Sequence, residues 1–136
     1  MAASSAGALK ARIEALGLGL AAYRDRPSED TAKPYVSIVE GIDLRPDESG
    51  DNGAGATGRE LVQVDLWQQY RHPTTNALTE SYTLAADLAK GLHGVSLANV
   101  GSSRVYNCRV QGSVRLLERD TNTVHSAITV ELSRVL

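Results

Sequence analysis

Three glycines, Gly53, Gly55 and Gly58, stand in the G-x-G-x-x-G spacing that cradles a dinucleotide pyrophosphate. That chemistry needs a strand before the glycines and a helix opening at the last one, whose free N–H groups hold the phosphates. Here a strand pattern follows Gly58 instead, so the spacing reads as a hairpin tip. Asp47, Ser49 and Asp51 imitate the first ligands of a calcium loop, but its glycine falls one place late and position twelve is Gly58 where a bidentate Glu is required. His72, His93 and His125 have neither HExxH spacing nor a companion cysteine cluster, and each is expected as a cap or surface residue. There is no G-x-S-x-G elbow, and the lone Cys108 sits in a strand pattern as a small core residue. The sequence thus offers no catalytic, cofactor-binding or metal-ligating residue, and the expectation is a protein that is not an enzyme.

The elements that would position any such residues must share one core. A chain of 136 residues is of single-domain size, and a domain of that length buries roughly 68% of its unfolded surface. Phe is absent and Trp67 is the sole tryptophan, so the core must be mostly aliphatic. Fourteen basic against sixteen acidic side chains leave a formal charge of −2, which disfavours tight binding to nucleic acid or an anionic membrane. Lysines number only Lys10, Lys33 and Lys90 among the basic residues, and arginine is the cation preferred in protein interfaces. No apolar run approaches the roughly 18 residues of a membrane span, and a soluble protein is expected.

Leu9, Ile13, Leu16 and Leu20 recur at three- and four-residue intervals behind Ser4 and Ser5, an amphipathic helix that Gly17 and Gly19 end. The polar stretch from Arg24 to Lys33 reads as a loop, and the apolar run Tyr35 to Val39 as the first strand, extending toward Leu44. Arg45 to Gly58 carries four glycines, three acids and nothing to pack, so it is expected to be a flexible hairpin loop. From Arg59 to Tyr70, Val62, Val64 and Leu66 alternate with Gln63, Asp65 and Trp67, a long strand. Leu78, Tyr82, Ala85, Ala89 and Leu92 stripe a second helix, with Gly91 or Gly94 available as its cap. Strand patterns over 95–100, 104–119 and 124–135 complete the order α-β-β-α-β-β-β. That order favours an α+β fold, a mainly antiparallel sheet with two helices on one face. Trp67 and Tyr70, beside Arg71, end a strand on its polar side. They close an edge of the core or anchor a subunit interface.

The order and spacing of LKARIEALGL, PYVSIVEG, ELVQVDLWQQY, ALTESYTLAADLAKGLHG and VRLLERDTNTVHSAITVEL resemble the tail terminator, or tail completion, proteins of long-tailed bacteriophages. The resemblance spans nearly the whole chain, and VQVDLW running directly into a helix is its most telling segment. It implies a structural virion protein in the neck region, assembled in the host cytoplasm. Such a protein forms a homo-oligomeric ring, usually a hexamer, that ends tail-tube polymerisation. Its implied partners are the tail tube protein and a head-tail connector or head-closure protein, with DNA passing through the lumen and no membrane involved. On that resemblance Asp47, Glu48, Asp51 and Arg59 belong to a loop that meets a partner or lines the channel, where the acids would repel phosphates. Trp67, Tyr70 and Arg71 become candidates for the subunit interface. Another neck or head-closure component shares these properties. A small α+β ligand-binding protein or enzyme would instead require a pocket between sheet and helices.

Overall fold

The computed structural model describes residues 5–25, 27, 31–39, 43–45, 57–72, 74–75, 81–100, 104–118 and 120–135. Its elements are α1 (Ser5–Ala15), β1 (Ala21–Arg24), β2 (Tyr35–Val39), β3 (Asp43–Arg45), β4 (Thr57–Gln69), α2 (Ser81–Leu92), β5 (Ser96–Val100), β6 (Arg104–Glu118) and β7 (Thr123–Val135). The strands form one sheet in the order β1-β2-β4-β7-β6-β5, with β3 paired to β4. Only β1 and β2 run parallel; every other pairing is antiparallel.

The fold is α+β, as the alternation of patterns implied, but the expected order lacked β1 and β3. Arg24, expected in a loop, ends β1. Of the expected loop over 45–58, Arg45 lies in β3 and Thr57 and Gly58 begin β4, and residues 46–56 lie outside the described residues. Gly58 therefore opens no helix, and the phosphate-cradle reading has no structural support.

Strand period and helix period meet in one core. Ala6, Leu9 and Ile13 of α1 and Leu88 and Leu92 of α2 are fully buried with Val36, Ile38, Val62, Val64, Leu66, Ile128, Val130 and Leu132. The strand residues in that set are one alternating face of β2, β4 and β7. Leu88 was not in the expected stripe, yet it packs in the same core as Leu92. Gly91 allows the helices to approach: a Cβ there would lie 2.7 Å from Leu16 Cδ1.

The end of α2 is joined to β6. Gly94 takes φ +76°, the left-handed cap that ends the helix, and donates its N–H to the Cys108 carbonyl at 2.8 Å. Cys108 donates in turn to the Val95 carbonyl at 2.8 Å, and Val110 donates to His93 Nδ1 at 3.1 Å.

Candidate functional site

The sheet face away from the core cluster carries a row of polar and aromatic side chains. Register places Tyr35 opposite Trp67, Trp67 opposite His125, and His125 opposite Leu116. The indole N–H of Trp67 donates to Ser37 Oγ at 2.9 Å. The Trp67 and His125 rings stack at 4.0 Å with 7° between their planes, and Tyr35 stacks on the indole at 6.2 Å. Asp65 Oδ1 lies 2.8 Å from His125 Nε2 and accepts from Gln63 Nε2 at 2.7 Å.

A carboxylate–imidazole pair is the arrangement of a general base. Here one ring face is covered by Trp67, and the two side chains are 13% and 6% exposed. The cluster holds neighbouring strands in register. His125 is thus neither cap nor surface residue, a correction to the expectation; its alternation was legible, its stacking partner was not. His72 does act as a cap, its Nδ1 accepting from the Thr74 and Thr75 N–H groups at 3.1 and 3.2 Å.

Cys108 is buried in the core, and desolvation pushes its thiol up to about 11 against the opposing pull of the Arg12 charge. A thiol so placed is not a nucleophile at neutral pH. Among the described residues no three His, Cys, Asp or Glu side chains are grouped to hold a metal ion.

Of the residues singled out from sequence, Asp47, Glu48 and Asp51 lie outside the described residues. Arg59 lies in β4, paired with Ser133 of β7 and Arg45 of β3. Trp67 is 5% exposed and spent on its own sheet. Tyr70 and Arg71 are half-buried at the surface and fixed against the β6–β7 turn. Arg71 donates its N–H to Asn122 Oδ1 at 2.9 Å, Asn122 Nδ2 donates back to the Arg71 carbonyl at 2.7 Å, and the guanidinium lies 5.3 Å from the Tyr70 ring centre.

The surface that sequence reasoning missed is the far half of β6. Strand pairing with β5 runs only from Arg104 to Asn107, whereas pairing with β7 continues to Glu118. Gln111 to Glu118 is therefore an edge, and all eight of its residues are exposed. A register shift between Val110 and Gly112 turns Val114 and Leu116 toward the Trp67–His125 face and Leu117 toward the helix side. These three are 59%, 49% and 36% exposed, and the other large apolar side chain exposed among the described residues is Val39. The segment holds neither Lys nor Pro, and the features that blunt it against pairing are Arg115, Glu118 and the bulge at its start. Gly112 in an alternating run was the available signal for the bulge.

The chain matches the family model described as tail completion protein gp17 over residues 5–132. Its fold is similar to that of a chain from a solved structure described as the virion of a native gene transfer agent particle. The two share 14% identity with a TM-score of 0.71, over 98% of this chain and 96% of that one. No curated protein matches this chain.

Proposed function

This chain belongs to the tail completion protein gp17 family, structural proteins of the phage tail, and on that premise we propose that it is the subunit of a terminating ring. The ring, a hexamer by the family resemblance, sits on the head-proximal end of the tail tube, stops its polymerisation and receives the head connector. Its place is the neck of the virion, after assembly in the host cytoplasm. The observation that carries this reading is the open apolar edge of β6, a surface suited to assembly. Tyr70 and Arg71, which are locked against the same end of the sheet, extend that surface with residue types favoured in interfaces. Asp47, Glu48, Asp51 and Arg59 are on this reading the residues that serve the contact with the partner or the DNA channel.

Electron microscopy of the purified protein, alone and mixed with tail tubes, tests the proposal. Rings, or caps on one tube end, are the expected result. Binding to the connector without tubes would favour a head-closure role. A chain that stays single and ignores tubes would refute the ring.

A further inference from the structure

The described strands end on the opposite side at β1, where Arg24 is exposed and Ala22 is covered, and the two ends match. β1 pairs on one side with β2, and no described strand lies on its other side. Following the registers across the sheet, Ala22 stands in one row with Val36, Leu66, Ser126 and Arg115, and Arg24 in one row with Ile38, Val64, Ile128 and Ser113. The open part of β6 therefore lies level with β1.

Polarity agrees as well. β1 runs with β2, against β4, with β7 and against β6. A β6 brought beside β1 by a neighbouring copy in like orientation runs antiparallel to it, the better-paired arrangement.

The hydrogen-bond phase gives a third agreement. Tyr70 donates to the Asn122 carbonyl at 2.9 Å, so even-numbered residues of β4 and β7 in this region aim their backbone groups at each other. Odd residues of β7 then aim at β6, which leaves Ser113, Arg115 and Leu117 with their N–H and C=O groups pointing outward. On β1, Asp25 donates to the Ile38 carbonyl at 2.9 Å, so Tyr23 shares that inward direction and Ala22 and Arg24 point outward. Ala22 is 2% exposed and its N–H reaches Glu14 Oε2 at a long 3.4 Å, so a neighbouring strand pairs there by displacing the exposed Glu14 side chain.

We propose that copies of this chain join head to tail by adding the Gln111–Glu118 edge of one to β1 of the next, with Ser113 opposite Arg24 and Arg115 opposite Ala22. This rests on the ring reading and specifies its interface. Val114 and Leu116 then lie beside Tyr23 and Ala21, and Leu117 reaches the other side of the joint. Exposed Val39 borders a hollow of about 160 Å³ lined also by Arg24, Asp25 and Ile38, at the same end of the sheet as β1. The exposed apolar side chains thus collect at the two ends that meet. The two joined surfaces differ, so the contact closes into a ring where the rotation permits.

An Arg24→Cys/Ser113→Cys variant tests the joint directly. Residues in a hydrogen-bonded antiparallel pair have Cα atoms about 5.5 Å apart, within disulfide reach. Oxidation should yield a ladder of linked chains ending at the ring number, and either single substitution should yield none. Buried Cys108 stays out of the reaction. A second variant, Ser113→Pro, removes one outward N–H and spares the bonds to β7. It should leave circular dichroism unchanged and reduce the assembled mass to that of a single chain, while Ser113→Ala assembles normally. Rings that form without a ladder, or a Ser113→Pro protein that keeps its assembled mass, would overturn this interface and leave the ring intact. A wild-type chain that stays single with and without tubes would remove both.

Discussion

Cys108 and Trp67 show how single side chains are committed to the fold. The Cys108 thiol is raised from an ordinary 9.0 to about 11 by burial, so the folded state holds its proton more tightly than the unfolded state does. Its contribution to stability is complete below about pH 9 and is lost as pH rises toward 11. Denaturant titrations should show the alkaline decline flattened in Cys108→Ala, and the wild-type thiol should react with iodoacetamide far more slowly than a free cysteine at pH 7.5. Trp67→Phe keeps an aromatic ring in the Tyr35–His125 stack but removes the donor to Ser37, whose side chain is 1% exposed. Leaving that buried hydroxyl without its donor costs about 1–3 kcal/mol, measurable as a lower urea midpoint by circular dichroism. Trp67 was legible as a large aromatic needing cover on a polar strand face; Ser37 and His125 as its cover were not, because both come from other strands.

Elements with strong periodicity were read closely from sequence, and those without it were missed. β6 and β7 end within one residue of expectation because fifteen- and thirteen-residue strands repeat their alternation many times. β1 escaped because Ala21, Ala22, Tyr23 and Arg24 give too short a pattern, and its partner β2 lies across a polar stretch. That β6 carries an edge was also invisible, since RVQGSVRLLE reads equally well as a central strand; only the short reach of β5 decides it. Three substitutions test α2. Gly94→Ala meets no atom within 4 Å, so its cost is the left-handed backbone alone, about 1–2 kcal/mol; Gly94→Asn should recover part of it. Leu88→Ala, at a fully buried position, should lower stability by about 2–5 kcal/mol. Chemical denaturation measures all three.

At the scale of the whole molecule, order and spacing carried the family where no motif did. Shape supplies what order could not: described strands that end at β1 on one side and at the exposed half of β6 on the other, level and opposite in direction. The segment with Asp47, Glu48 and Asp51, expected from sequence as a loop, belongs to this scale too. On the proposed ring reading, deleting residues 47–56, which stops short of β4, should impair ring assembly or DNA delivery, scored by microscopy and by infectivity of reconstituted particles. If both survive unchanged, the segment has no part in either. The sole tryptophan, buried at 5% exposure in β4 with β2 on one side and β7 and β6 on the other, lies inside the sheet and away from both of its ends. Its emission should therefore be an optical witness to folding that is blind to association. Fluorescence and light scattering, followed together in one cuvette, would separate a subunit that cannot fold from one that folds and cannot find its neighbour.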